Sequence, residues 1–212
     1  MPSSSAPLVV KLGGSLHASP ALDEWLAALK RWLRPLTIVP GGGPFADAVR
    51  AAQPVMRYDD SAAHAMAVLA MEQYALALAS REQALELAGS VEAIQAAQAR
   101  RRIALWRPSG MVAAAKDIAP SWEVTSDSLA AWLARKTGAR GLLLIKSVDV
   151  SDGAGLREIV REGVVDPALP DYLGETPLFI AGPSSLPRAG ALLAEGVPPG
   201  SAIVTFPTRK SA

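Results

Sequence analysis

Short runs of apolar residues alternate with stretches of helical periodicity along most of this chain. Such alternation is typical of an α/β domain built on a mostly parallel sheet, because parallel strands need helical crossovers between them. The strands that we predict are Leu8–Leu12, Leu36–Val39, Ile103–Trp106, Gly141–Ile145, Pro177–Ala181 and Ala202–Phe206.

Helix-start signals precede several of the helical stretches. Ser19 caps a helix whose first position is Pro20, where the missing N–H of proline costs nothing. Gly138 ends a later helix, as glycine commonly does. We predict a long Ala- and Met-rich helix from Asp59–Ser61 to about Ser80, a shorter one opened by Ser90 and Glu92, a helix over Ser128–Thr137 capped by Thr125 or Ser126, and a long loop with one short helix over 151–174.

The first predicted strand leads into a lysine and two glycines. Lys11 stands near the end of the apolar run, and Gly13 and Gly14 follow it closely. Glycine lets the backbone approach a ligand, so successive N–H groups converge on an anion beside the ammonium group. This pattern favours a site in which Lys11 neutralises a transferring phosphoryl group while the amides of Gly13 and Gly14 bind its oxygens.

A second glycine run, Gly41–Gly43, follows the next predicted strand. Two such loops indicate a site for two phosphate-like groups, as a phosphoryl transferase requires. With Ala46 the run also fits the dinucleotide fingerprint G-x-G-x-x-A, which leaves an NAD(P)-binding oxidoreductase open. That fingerprint expects an acid at the end of the next strand, whereas Asp59 and Asp60 open a helix. The phosphate-loop pattern G-x-x-x-x-G-K-S/T does not occur, which excludes a Walker-type kinase.

Asp127 and Lys146 have the positions expected of groups that work with Lys11. Asp127 stands at the start of a predicted helix, where it either caps the helix or pairs with lysines and aims them at phosphoryl oxygens. Lys146 follows an apolar strand directly, so the sequence predicts a second strand-end lysine near the same sheet edge.

Other residues have two interpretations each. Asp149 and Asp152 with Gly153 either contact a ribose or magnesium or form an ordinary turn. His64 lies in the long predicted helix, where it is either packed in the core or in contact with a substrate.

Composition narrows the chemistry. The 212 residues suit a single domain over 1–212, and 50% of them are hydrophobic. There is no cysteine, which excludes disulfides, thiolate catalysis and a cysteine-bound metal. A net charge of +1 without a dominant basic tract disfavours nucleic acid, and the longest apolar stretch, Ala62–Ala79, is too polar for a membrane span. Met1–Ser5 does not open a signal peptide, so we expect a cytoplasmic protein.

Four segments resemble the amino acid kinase family and occur in the same order as in that family, which includes acetylglutamate, uridylate, aspartate and isopentenyl phosphate kinases. Val10–Ser15 resembles its nucleotide-phosphate loop and Pro40–Pro44 its acceptor loop. Thr125–Ala130 resembles the segment with the organising aspartate, and Leu144–Val150 the strand and turn that lead to the nucleotide base. The stretch Asp60–Tyr74 is similar to the short archaeal-type branch that includes the kinase of methanofuran biosynthesis.

The resemblance implies a three-layer αβα sandwich with a mostly parallel sheet, ATP and Mg²⁺ as cofactors, and phosphoryl transfer to a small molecule. It implies catalytic roles for Lys11, Asp127 and Lys146, and no residue set that binds a metal by itself. The residues implied for the nucleotide are Gly13, Gly14, Ser15, Asp149, Asp152, Gly153 and Arg188, and those for the acceptor are Gly41, Gly42, Gly43, Asp60, His64 and Ser126.

The chain departs from the family at one place. Many members carry a late Gly-Gly-Met-x-x-Lys segment, whereas Gly182–Arg188 contains no lysine. Either Lys146 or Arg188 therefore supplies that charge, or the protein is a degenerate nucleotide- or oxyanion-binding member. We expect a phosphate monoester as acceptor, since its oxygen is ionised at neutral pH and needs no general base; an aminomethylfuran methyl phosphate is the first candidate. The Ala- and Met-rich helix suits a homodimer contact.

Overall fold

The apolar runs of the sequence form most of the central sheet in the computed structural model, which describes residues 6–205. Strands buried on both faces read as continuous apolar runs, because every side chain meets a helical layer. The strands are β1 (Leu8–Leu12), β2 (Leu36–Pro40), β3 (Leu85–Ala88), β4 (Ile103–Trp106), β5 (Gly141–Ile145), β6 (Leu178–Ala181) and β7 (Ser201–Ala202). The helices are α1 (Ala21–Leu29), α2 (Gly43–Met56), α3 (Asp60–Arg81), α4 (Val91–Ala99), α5 (Ser109–Ala114), α6 (Ser126–Lys136), α7 (Leu156–Arg161), α8 (Leu169–Leu173) and α9 (Leu186–Ala194).

The strand order is β3-β4-β2-β1-β5-β6-β7, with the first six strands parallel and β7 antiparallel to β6. Buried side chains form one cluster on each face of the sheet. One cluster packs beneath α1 and α9, the other beneath α4, α6 and α8, and α3 contributes to both. The predicted three-layer α/β fold with a mostly parallel sheet is therefore confirmed.

The register of β1 brings three loops to one edge of the sheet. Leu12, the last residue of β1, pairs with Pro40 of β2 and with Ile145 of β5. Because these strands are parallel, both glycine loops and the second lysine leave the sheet at this edge. Side chains alternate between faces, so Lys11 points to the same layer as Val9, the layer that contains α6.

The structure corrects the prediction at both edges of the sheet. Strand β3 is not among the predicted strands, because its two central residues are only half-buried and its apolar signal is weak. The last strand is Ser201–Ala202 rather than Ala202–Phe206, because Val204 instead forms an isolated bridge with Gly155. Phe206 lies outside the described residues.

Two helical predictions are also corrected. The segment 151–174 contains two short helices, α7 and α8, rather than one. Helix α6 begins at Ser126 instead of Ser128, and Thr125 occupies its N-cap position without a side-chain cap bond of its own.

The long helix α3 closely matches its prediction. Asp59 caps it, since its carboxylate accepts a hydrogen bond from the Ala62 N–H at 2.8 Å. By length and hydropathy alone α3 could cross a membrane. However, Met71, Tyr74 and Leu78 are buried in the two core clusters, as in a core helix of a soluble domain.

Candidate active site

Three charged side chains meet where β1 and β5 end. The Nζ of Lys11 lies 2.9 Å from Oδ1 of Asp127, and the Nζ of Lys146 donates a hydrogen bond to Oδ2 of the same carboxylate. All three side chains are at most 15% exposed. Asp127 therefore bridges the two predicted lysines instead of capping α6.

The fold explains this meeting. β1 and β5 are neighbours in the sheet, and Lys146 follows β5 on the face set by Leu142 and Leu144. Lys11 faces the same layer. Asp127 is the second residue of α6, which packs over β1 and β5.

Burial and mutual charge interactions shift the pKa values of Asp127 and Lys146. Burial disfavours the ionised form of Asp127, but the Lys11 and Lys146 ammonium groups together outweigh burial and hold the pKa of this carboxyl below its ordinary value. Burial and the charge of Lys11 lower the pKa of Lys146, while the Asp127 carboxylate opposes them. With both lysines protonated, the cluster carries one net positive charge and attracts an anion.

The two glycine loops pack against each other without room for a side chain. A Cβ on Gly41 would lie 2.4 Å from the nitrogen of Gly14, and one on Gly14 would lie 2.5 Å from the nitrogen of Gly43. Gly43 has a φ of 54°, in the left-handed region that favours glycine. The close contact fixes the separation of the two predicted phosphate loops. This contact also explains why position 41 is a glycine, without any need for a dinucleotide-binding fingerprint.

The amides of the first loop have different partners. The Gly13 N–H donates to the Ile145 carbonyl at 3.1 Å, so it is already used. Within residues 6–205 the Gly14 N–H has no backbone acceptor, while the Gly14 carbonyl lies 3.0 Å from Nδ1 of His17. The predicted role in binding phosphate oxygens therefore fits Gly14 and not Gly13.

Replacing Gly41 by alanine should force the loops apart, because the new Cβ would meet backbone atoms that cannot rotate away. Overpacking of this kind costs about 1–3 kcal/mol, and we expect such a loss in urea unfolding. Gly89 is the matched control, since a Cβ there meets nothing within 4 Å. Equal stability of the two alanine variants would show that the loop contact tolerates separation.

A cavity of about 220 Å³ opens between the glycine loops, α2, α3 and the start of α6. Gly14 and Ser15, both predicted to bind the nucleotide, line it from the first loop. The predicted acceptor residues that line it are Gly42, Gly43, His64 and Ser126.

Two predicted acceptor residues lie outside this lining. Gly41 packs on the first loop. Asp60 accepts a hydrogen bond from Nε2 of Gln53 at 2.8 Å on the exposed side of α3. Its carboxylate therefore serves the α2–α3 junction.

His64 is buried in the cavity wall. Its Nδ1 lies 3.3 Å from the Ser121 carbonyl, and its Nε2 has no hydrogen-bond partner within residues 6–205. Burial lowers the pKa of this imidazole, so the ring is neutral at neutral pH. With the proton on Nδ1 toward the carbonyl, Nε2 is an acceptor for a donor group in the cavity.

Arg50, which is not among the predicted site residues, adds a cation to the cavity lining. Its guanidinium carbon lies 4.7 Å from the centroid of the half-buried Trp122 ring, which the flat cation stacks on. Trp122 is itself fixed by a hydrogen bond from Nε1 to Oε1 of Gln53 at 2.7 Å. The available signal was helical spacing, since Gly43, Asp47 and Arg50 share one face of α2.

Asp166 is the second missed residue. It lies between α7 and α8, and its carboxylate accepts hydrogen bonds from Thr125 and Ser128 at the start of α6. Burial and the charge of Asp127 raise the pKa of Asp166. The carboxylate of Asp166, which is remote in the sequence, therefore caps α6 in place of the predicted Thr125 or Ser126.

The other residues predicted to bind the nucleotide, Asp149, Asp152, Gly153 and Arg188, follow β5 and β6. Asp149 accepts from the N–H and the hydroxyl of Ser184 at 3.0 and 2.6 Å, which ties these two turns together. Asp152 accepts from the Ser201 hydroxyl at 2.7 Å, and Gly153 has a φ of 77° in a turn. Both carboxylates make turn contacts here, and Arg188 is exposed on α9.

Comparison with known proteins places these features in a family. The model of the amino acid kinase family matches residues 6–156, which include both glycine loops and all three charged residues of the cluster. A relative from Methanocaldococcus jannaschii, [5-(aminomethyl)furan-3-yl]methyl phosphate kinase, is 28% identical over 149 residues. The match covers 66% of this chain and 66% of the length of that relative.

Solved structures show the same fold. The uridylate kinase from Archaeoglobus fulgidus is 15% identical, with a TM-score of 0.66 over 93% of this chain and 99% of that chain. The UMP kinase from Bacillus anthracis is 16% identical, with a TM-score of 0.62 over 93% of this chain and 95% of its own. At such identities the likeness concerns the fold alone.

Proposed function

Because this chain belongs to the amino acid kinase family, we propose that it is an ATP-dependent phosphotransferase whose acceptor is a small phosphate monoester. The observation that carries the proposal is the bridge from Asp127 to Lys11 and Lys146, beside a cavity lined by two glycine loops. The family resemblance predicted from the sequence is confirmed, and with it the prediction of a kinase at the level of the family.

The cluster suits the charge of a phosphoryl group in transfer. Such a group spreads negative charge over its equatorial oxygens, and catalysis depends mostly on positioned positive charge. Lys11 and Lys146 provide two ammonium groups held by one buried carboxylate, so their geometry is set before substrate arrives. Lys146 is then the replacement for the missing late lysine, since Arg188 lies exposed on α9.

The cavity suits an acceptor with a phosphate at one end. The N-terminus of the 14-residue helix α2 lines it through Gly43, and helix N-termini favour anions. Arg50 adds a guanidinium, the group that binds phosphate best. The phosphate oxygen is ionised at neutral pH, so the attack needs no general base, and neutral His64 is not required as one.

The cavity wall formed by α3 suits a hydrogen-bond donor. The free Nε2 of His64 accepts a hydrogen bond there. This acceptor fits an amine. An aminomethylfuran methyl phosphate, the substrate in the name of the relative, has both a phosphate and an amine.

ATP fits the remaining side of the cluster, toward the turns after β5 and β6. When bound, ATP supplies the γ-phosphoryl group and Mg²⁺ neutralises charge on its phosphates. Within residues 6–205 no group of three or more His, Asp or Glu could hold a metal. Asp127 is occupied by lysines, so Mg²⁺ would be held chiefly by the nucleotide.

The proposal extends to the localisation and the oligomeric state of the enzyme. We expect a cytoplasmic enzyme and a homodimer. The exposed apolar residues Met66, Leu69 and Leu76 of α3 support the dimer.

A coupled assay of ADP release tests the proposal. We expect turnover with aminomethylfuran methyl phosphate above that with uridine monophosphate or isopentenyl phosphate, and none with glutamate, acetylglutamate or aspartate. Turnover of an amino acid and of no phosphate monoester would overturn the acceptor class. Binding of Mg·ATP in a thermal-shift assay without any turnover would support the degenerate nucleotide-binding alternative, and stabilisation by NADH instead would support the oxidoreductase.

A further inference from the structure

We infer that Asp166 is a positioning residue: it fixes the first turn of α6 so that the Asp127 carboxylate reaches Lys11 and Lys146 at once. Asp166 lies in the loop between α7 and α8, 39 positions after Asp127 in the sequence numbering. The inference rests on the proposed function for its effect on turnover, and on the geometry alone for its effect on the cluster.

The hydrogen bonds of Asp166 bracket Asp127. Its Oδ2 accepts from the backbone N–H of Thr125 and of Ser128, both at 2.9 Å, and from the Ser128 hydroxyl at 3.0 Å. Its Oδ1 accepts from the Thr125 hydroxyl at 2.6 Å. One carboxylate therefore holds residues on both sides of Asp127.

The first turn of α6 depends on this outside support. The first N–H groups of a helix have no partner within the helix and are normally satisfied by the side chain of the N-cap residue. Thr125 makes no such bond, and its hydroxyl points to Asp166 instead. Without Asp166 this turn would lose its cap and could fray, and Asp127 is part of it.

Asp166 is in turn held in place by packing. Leu169 and Tyr172 of α8 are buried in the same cluster as Leu129 and Leu133 of α6. The Ala168 N–H also donates to the Glu123 carbonyl at 3.4 Å, just before α6. The segment that follows Asp166 is thus fastened beside α6, and it can set the position of that helix start.

Asp127 needs such accuracy because it contacts two lysines from different strands. A displacement of about 1 Å in a catalytic group can cost 10²-fold in rate. Replacing Asp166 by alanine should therefore lower kcat by about 10²-fold. The KM for the acceptor should rise at the same time, because Ser126, which belongs to the turn that Asp166 holds, lines the acceptor cavity.

Asp166→Asn is the conservative variant. Its amide oxygen can accept from the N–H groups of Thr125 and Ser128, and the Thr125 hydroxyl can accept from its amide nitrogen. We therefore expect Asp166→Asn to restore most of the turnover lost in Asp166→Ala. Ser90→Ala is the matched control: it removes a side-chain cap from α4, where Ser90 accepts from the Ala93 N–H at 3.2 Å, and should leave kcat unchanged.

Titration of Lys146 distinguishes a positioning role of Asp166 from a purely stabilising role, and it needs no assay of turnover. The charged groups that act on Lys146 are Lys11 on β1, Asp127 on α6 and Asp166 on its loop, and both carboxylates favour its protonated form. In Asp166→Asn, Lys146 loses only the charge of Asp166, whereas in Asp166→Ala it also loses Asp127 if that carboxylate moves away. NMR of the labelled Lys146 side chain should therefore show titration at lower pH in Asp166→Ala than in Asp166→Asn. Ser90→Ala should not shift it.

These measurements have distinct outcomes. Equal titration of Lys146 in Asp166→Ala and Asp166→Asn would overturn the inference, whether or not the protein is a kinase. Wild-type kcat in that variant would overturn it equally. Absence of turnover in the wild-type protein with every acceptor would instead contradict the proposed function, and the titration would still decide the role of Asp166.

Discussion

Replacing Lys11 by alanine is expected to lower phosphoryl transfer by about 10²–10³-fold, the usual cost of removing one preorganised charge from a transition state. Lys11 is 6% exposed and lies 2.9 Å from Asp127, so its charge is fixed and poorly screened by water. A coupled assay of ADP release measures the effect, with folding checked by circular dichroism.

Lys30→Ala is the matched control for the loss of a lysine. Lys30 pairs with Glu82 at 2.7 Å but is 42% exposed, and exposed ion pairs contribute little. We expect it to keep wild-type turnover. If Lys11→Ala behaves in the same way, Lys11 has no part in the reaction.

Replacing Asp127 by asparagine should be the most damaging change for stability as well as for turnover. It leaves two buried ammonium groups facing each other across a neutral amide. Removing one partner from a buried ion pair costs about 3–5 kcal/mol, and we expect a loss of this size in urea unfolding at neutral pH. Because the lysines then repel each other, turnover should fall by at least as much as in Lys11→Ala.

The stability that the Asp127 carboxylate contributes should depend on pH. The pKa of Asp127 is lower in the folded protein than in the unfolded chain, where it is about 3.9. Its contribution to stability is therefore fully present above about pH 4 and is lost as the pH falls through the folded pKa. The stability difference between wild type and Asp127→Asn should shrink below that pH. A difference that stays constant from pH 7 to acid would mean that the charge of Asp127 does not stabilise the fold.

The sequence alone predicts that two lysines meet at one edge of the sheet, and it leaves open whether Asp127 pairs with them or caps a helix. Lys11 and Lys146 each stand at the end of an apolar run, and ends of neighbouring parallel strands meet at one edge. The sequence does not predict how deeply the side chains of Lys11 and Lys146 are buried. A rim charge would matter little to the core, whereas the nearly buried bridge through Asp127 gives these residues a structural role beside the one that we propose in catalysis.

Long-range partners escape sequence analysis. Asp166 belongs to a loop whose sequence shows only turn residues, and its place against Thr125 depends on how α8 packs on α6. Asp149 is ambiguous for the same reason, since its partner Ser184 follows a different strand. Helical periodicity places Arg50 on one face of α2, but no local pattern in the sequence indicates that this face borders a cavity.

We propose above all that a phosphate monoester is phosphorylated at the Lys11–Asp127–Lys146 cluster. Phosphorus-31 NMR of the wild-type protein with ATP, Mg²⁺ and aminomethylfuran methyl phosphate tests it directly. We expect signals of a diphosphate ester and of ADP to grow in equal amounts, and to be nearly absent with Lys11→Ala. Release of inorganic phosphate in place of the diphosphate ester, or equal product formation by Lys11→Ala, would contradict the claim.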